Sequence, residues 1–156
     1  MAFDHYLTDG TIGADLTAAY STAAFTVGAL HDGSQGMYEF AQAAGVVGIA
    51  QAVIITSLGQ AAEVTSTTSG ATSKAIGVCL AAAGLADDEY GWFWRGCGAC
   101  EIDVATTIAA DAALTTTATA GVLGAGGDVV QSLLTTESSG SGSITDCYAA
   151  DILTTN

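Results

Sequence analysis

The sequence predicts an all-β fold: a small β-barrel or β-sandwich of about eight to ten short strands, preceded by an extended N-terminal arm. Three observations carry this. Apolar residues alternate with small or polar ones over short runs, the period of a strand. Those runs are separated by clusters of Gly, Ser, Asp and Thr, in a chain with 20 glycines and no proline. No stretch keeps the 3.6-residue period of a sustained amphipathic helix.

The elements follow in order. Residues 1–23 are read as an arm, and 24–156 as the β-domain. The arm holds Phe3, Tyr6, Leu7, Ile12, Leu16 and Tyr20 without a period of its own, and Asp9-Gly10 and Ile12-Gly13 mark turns. Such a segment either frays or orders against a neighbour. Phe25 to Leu30 alternates as a strand, His31 to Gly36 is a turn cluster, and Met37 to Gln42 returns as the second half of a hairpin. Tyr38 and Phe40 then share one face, and Met37, Glu39 and Ala41 the other. Ala50 to Thr56 is rich in β-branched residues, and Ala61 to Thr67 is a weaker strand. Thr67 to Ser73 is a loop, and Lys74 to Leu80 places Ile76, Val78 and Leu80 on one face. Ala81 to Leu85 suits a short helical turn, and Asp87-Asp88-Glu89 a solvated acidic loop. Tyr90 to Gly96 is an aromatic strand, continued in β style by Cys100 to Val104. Ala109 to Leu114 suits one helical turn or a loop, and Thr115 to Ala120 an exposed strand or loop. Val129 to Thr136 and Ile144 to Leu153 are strands on either side of a Ser/Gly loop, Ser138 to Ser143.

The core is expected to be thin. The chain has 156 residues, of which only 34 are Leu, Ile, Val or Phe, against 31 alanines. A small domain with so few large apolar groups has little to offset its conformational entropy, and an interface with another copy supplies the missing contacts. Lys74 is the sole lysine and proline is absent, so edge strands lack two usual protections. The edges must close on themselves or pair with another chain.

Charge excludes several functions. Sixteen acidic residues face two basic ones, Lys74 and Arg95, for a net charge of −14. Binding nucleic acid through phosphates requires several cations, which the chain lacks. An anionic membrane surface is excluded on the same ground. The opening Met1-Ala-Phe-Asp-His-Tyr6 has neither a basic start nor an apolar run, so no secretory signal is expected and synthesis in the cytosol is. The stretch Ala43 to Thr56 is interrupted by Gly45, Gly48 and Gln51 and is too short to span a bilayer.

No residue set demands catalysis, a cofactor or a metal. Cys97-Gly98-Ala99-Cys100 has the CxxC spacing, but it sits between strand-like segments instead of opening a helix, and Cys79 and Cys147 are isolated in sequence. The four cysteines are read as small reduced hydrophobes. Asp87-Asp88-Glu89 lacks the spacing of a calcium loop. Glu101 and Asp103 share a strand face, with Arg95 near enough in sequence to pair with them. His5 and His31 have no nucleophile motif beside them, and Gly124 to Gly127 lacks the Lys of a phosphate loop. Trp92 and Trp94, at i and i+2, point to one side of a strand. At least one is read as core bulk, with a sugar-stacking platform as the alternative.

Phe25-Thr-Val-Gly28, Asp32-Gly33 and the aromatic strand ending in Ala43 resemble the opening of small tailed-phage head proteins. Lys74-Ala-Ile-Gly-Val78 comes next, then the acidic spacer, Tyr90-Gly91-Trp92, a strand after Gly96, and Ala112-Ala-Leu114 followed by Gly121. In this order of elements, over residues 25–153, the chain resembles the capsid decoration proteins of tailed bacteriophages, also called cement or head-stabilising proteins. The Ser/Gly loop at 138–143 and the four cysteines depart from that pattern.

The resemblance implies a non-enzymatic virion protein, made in the host cytoplasm, that binds the outer surface of an icosahedral capsid and stabilises it. Its partners would be the phage major capsid protein and itself, as a homotrimer, with no nucleic acid and no membrane. Phe3, Tyr6, Leu7, Ile12, Leu16 and Tyr20 are then the candidate contacts to the capsid or to a sister subunit. Two alternatives stay open on the residues alone. One is an extracellular adhesin or carbohydrate-binding β-module using Trp92 and Trp94, and the other a thiol-based redox enzyme using Cys97 and Cys100.

Overall fold

The computed structural model describes residues 15–33, 36–66, 75–96, 98–105, 108–109, 112–124, 129–135 and 143–149. These hold no α-helix and eleven strands. The first six are β1 (Leu30–Gly33), β2 (Gly36–Ala43), β3 (Ala52–Ile55), β4 (Gln60–Glu63), β5 (Ala75–Cys79) and β6 (Tyr90–Gly96). The others are β7 (Ala99–Val104), β8 (Ala113–Thr116), β9 (Leu123–Gly124), β10 (Val129–Thr135) and β11 (Ser143–Ala149). The fold is all-β, as the alternation predicts.

The strands form two closed sheets. The first has the order β1-β2-β4-β3-β5-β6, and β2 also pairs with β6, so five of its six strands make a ring. The length of β2 makes this possible. Its first half pairs with β1, from Gly33↔Gly36 to Leu30↔Glu39, and its last two residues pair in parallel with Gln60 and Ala61 of β4. On its other edge it runs antiparallel to β6 from Met37↔Gly96 to Gln42↔Tyr90. The second sheet is a closed barrel in the order β10-β11-β7-β9-β8. Closure removes the edges that the missing Pro and Lys leave unprotected. Among the described residues, strand β1 pairs only with β2 and keeps one edge open.

Alternation sorts the side chains into two cores. Ala41, Ala43, Val53, Ile55, Ala61, Cys79 and Phe93 come from all five ring strands and cluster together, filling the narrow ring interior mostly with small groups. The opposite face carries Tyr38, Phe40, Ile54, Val78, Trp92 and Trp94. It packs with Leu16 and with Ile102, Val104, Leu114 and Leu123 of the second barrel. Backbone bonds join the barrels directly: Asp103 N–H donates to Ala50 (2.9 Å), Ala52 to Gly121 (2.7 Å) and Gly121 to Val64 (2.8 Å).

Several elements differ from expectation. Of the turn expected over His31 to Gly36, His31, Asp32 and Gly33 are already paired in β1 and Gly36 opens β2, and positions 34 and 35 lie outside the described residues. Phe25 to Ala29 precedes the strand, and Phe25 instead joins an aromatic cluster. The helical turn or loop expected at Ala109 to Leu114 ends in β8, and β9 carries no periodic signal because it is two residues long. Thr115 and Thr116, expected at the surface, are buried. The Thr115 hydroxyl donates to the Gly124 carbonyl at 2.7 Å, which lets a polar side chain enter the core. The loop expected at Thr67 to Ser73 lies outside the described residues, as does the one expected at Ser138 to Ser143 except for Ser143, which opens β11.

Candidate functional site

The arm residues divide at position 15. Phe3, Tyr6, Leu7 and Ile12 lie outside the described residues. Leu16 and Tyr20 are packed on the β-domain of their own chain. Leu16 is 4% exposed and belongs to the main core, and Tyr20 packs against it. Tyr20 and Tyr90 exchange backbone hydrogen bonds at 2.8 and 2.9 Å, and Ala82 N–H donates to Thr17 at 3.0 Å. The Tyr20 ring meets Phe25 and Phe40 edge-on, with centroids 5.9 and 5.8 Å apart. Phe25 and Phe40 each approach Trp92 to 5.2 Å. The partners that order Leu16 and Tyr20 are therefore distant strands of the same chain, which local periodicity does not display. Leu16 to Tyr20, read as part of the arm, thus pack on the β-domain, and residues 1–14 lie outside the described residues.

A groove lies beside Leu16 and Thr17. A cavity of about 730 Å³ lies between the first described residues and both barrels. Its walls include Leu16 and Thr17, Ile49 and Ala50 before β3, Trp94 of β6, and Cys100 of β7. Ile49 is 45% exposed, an apolar group on an open wall. Ala50 has the left-handed φ of 57°, and both barrels hold it there: its N–H donates to Cys79 at 3.1 Å and its carbonyl accepts from Asp103. Glu101 is the carboxylate in the lining, and no Lys or Arg accompanies it. The groove thus offers apolar contact and one negative charge, and no acid–base or nucleophile–base pair among the described residues.

Groups singled out for possible chemistry have structural roles. Trp92 and Trp94 are 1% and 2% exposed, so neither offers a face for a sugar. Neither indole N–H has an acceptor among the described residues. Gly36 makes room for Trp94: a Cβ at that position would lie 2.6 Å from the indole nitrogen. Arg95 pairs with Glu39 across the β2–β6 ladder, not with Glu101 or Asp103. Burial pulls the Arg95 guanidinium below its ordinary value, and Glu39 opposes that shift. The acidic run 87–89 is an ordered turn. Glu89 accepts from Ala86 N–H at 2.8 Å, and Asp88 accepts from the Gln42 amide at 3.1 Å. No cluster of three His, Cys, Asp or Glu suited to a metal occurs among the described residues.

Of the cysteines, Cys79 is buried, and desolvation pushes its thiol up to about 11. Cys100 sits within β7, directly opposite Cys147 of β11. In the sequence Cys147 stands isolated from the other cysteines. The alternation of Ile144 to Leu153 against Cys100 to Val104 is the only signal that could have brought them together, and it does not specify register.

No protein-family model matches the sequence, and no curated protein matches it significantly. Among solved structures, the chain is similar to the N base of head fiber gp8.5 of bacteriophage phi29, with a TM-score of 0.50 and 12% identity. The match covers 72% of this chain and 92% of that one. The likeness is one of fold: this β-domain is built like the base of a phage head fiber.

Proposed function

We propose that the protein is a structural component of a bacteriophage virion that binds the outer surface of the icosahedral capsid and stabilises it as a homotrimer. The observation that carries the proposal is the fold likeness to the phi29 head fiber base, which extends over nearly all of that chain. The order of sequence motifs resembling capsid decoration proteins points the same way. So does the charge of −14, which suits an outer surface better than contact with packaged DNA. Support for self-association comes from the thin core and from the open edge of β1, where Leu30 is 63% exposed. Its partners are then the major capsid protein and two sister chains, with no nucleic acid, membrane or cofactor, and the protein is not an enzyme. The carbohydrate-binding alternative loses its platform, because both tryptophans are core residues.

Residues 1–14, which carry Phe3, Tyr6, Leu7 and Ile12, are the segment through which docking is proposed. At about 3.3 Å per residue they reach roughly 45 Å, enough to cross a subunit boundary. The test of the proposal is mass spectrometry of purified, nuclease-treated particles of the encoding phage. The protein is expected at a copy number comparable to that of the shell protein, and its absence from particles overturns the proposal.

A further inference from the structure

Strand register brings together two cysteines that lie about 47 residues apart in sequence. In the antiparallel β7–β11 pair, Ser143 stands opposite Val104, Thr145 opposite Ile102, Cys147 opposite Cys100, and Tyr148 opposite Ala99. Directly opposed positions of such a pair have Cα atoms about 4.5–5.5 Å apart. A disulfide bridges Cα separations of about 4.4–6.8 Å, a range that includes directly opposed positions. Cys100 is half-buried and lines the groove beside Leu16 and Trp94, so a small oxidant can reach it. Cys79, fully buried and with its thiol pushed up to about 11, is not a competing nucleophile.

We propose that Cys100 and Cys147 form a cross-strand disulfide once the folded protein leaves a reducing compartment. The oxidant is a small-molecule disulfide. One cysteine thiolate attacks it, forming a mixed disulfide and releasing one small thiolate. The second cysteine thiolate then displaces the other half. In sum, the protein thiols lose two protons and two electrons, and the small disulfide is reduced to two thiols. The bond ties β11 to β7, neighbours in the sheet of the second barrel. β11 stands between β10 and β7 in that closed sheet, so the cross-link holds the barrel shut at its closing strand. A protein assembled in a reducing cytosol would thereby be stapled only after release. The bond follows from strand register and does not depend on where the protein docks.

Cys97 supplies the rival pairing, with Cys100 through the CxxC spacing, and the experiment separates the two. The full chain, purified under reducing conditions, is incubated with oxidised glutathione. It is then cleaved at its acidic residues and mapped by non-reducing mass spectrometry. A fragment containing Cys100 should be joined to one containing Cys147. The melting temperature should rise by about 10 °C, because the bond closes a long loop, and dithiothreitol should reverse the rise. Cys97→Ser should keep both the link and the rise, and Cys147→Ser should lose both. A link confined to Cys97 and Cys100, links found only between chains, or a Cys97→Ser protein that stops at the glutathione adduct would each overturn the proposal.

Discussion

Individual side chains set two measurable properties. Cys79 in the ring interior holds its proton up to about pH 11, whereas an unfolded chain releases it near the ordinary thiol value of 9.0. Since the folded pKa is the higher one, the thiol's contribution to stability is fully present below pH 9. It is lost as pH rises from there through 11. Stability should therefore fall by on the order of 2 kcal/mol over that window beyond any other alkaline effect, and Cys79→Ala should remove this component from a denaturation series against pH. The Arg95–Glu39 pair lies largely out of water, with side chains 17% and 13% exposed. Glu39→Gln should destabilise the fold by about 2 kcal/mol, between the values for exposed and fully buried pairs, because it leaves a desolvated guanidinium without its counter-charge. Pairing it with Arg95→Met should recover most of that loss in a double-mutant cycle. Trp92→Ala removes the ring that Phe25 and Phe40 both pack against, and should lower stability by about 3–5 kcal/mol in a urea titration.

At the scale of elements, what was legible in the sequence is what alternation encodes. β2, β3, β5, β6, β7, β10 and β11 each carry a run of alternating or β-branched residues, and all appear close to where those runs lie. The two faces of β2 were also legible, with Tyr38 and Phe40 on one and Ala41 on the other. Long-range relations were not legible. Nothing local says that β2 trades β1 for β4 along one edge while holding β6 on the other, yet that exchange closes the ring. β9 is too short to show a period, and Thr115 of β8 is buried with a hydrogen bond to Gly124 of β9 that composition hides. The same limit moved the arm boundary, since Leu16 and Tyr20 find their partners on β2 and β6. Two truncations test that boundary. Removing residues 1–14 should leave the melting temperature within a few degrees of the full chain. Removing 1–20 strips Leu16 and Tyr20 from the aromatic core and should cost several kcal/mol.

The described residues form two closed five-strand rings, the first flanked by β1, welded by one apolar core and by backbone bonds between Ala50, Ala52, Val64, Asp103 and Gly121. Such a body is suited to rigid display: closure blunts all sheet edges but that of β1, and the acidic surface resists non-specific association. We propose that attachment falls to residues 1–14. The truncation lacking 1–14 should accordingly stay folded yet bind shells much more weakly in a co-sedimentation assay. Equal binding would move the contact surface onto the β-domain itself. The placement on the capsid is tested most directly by a cryo-electron microscopy reconstruction of the encoding phage's virion. The account predicts density matching this two-barrel domain on the outer face of the shell, in groups of three about three-fold or quasi-three-fold axes. A shell bearing no such density outside, or bearing it as single copies away from every such axis, would contradict it.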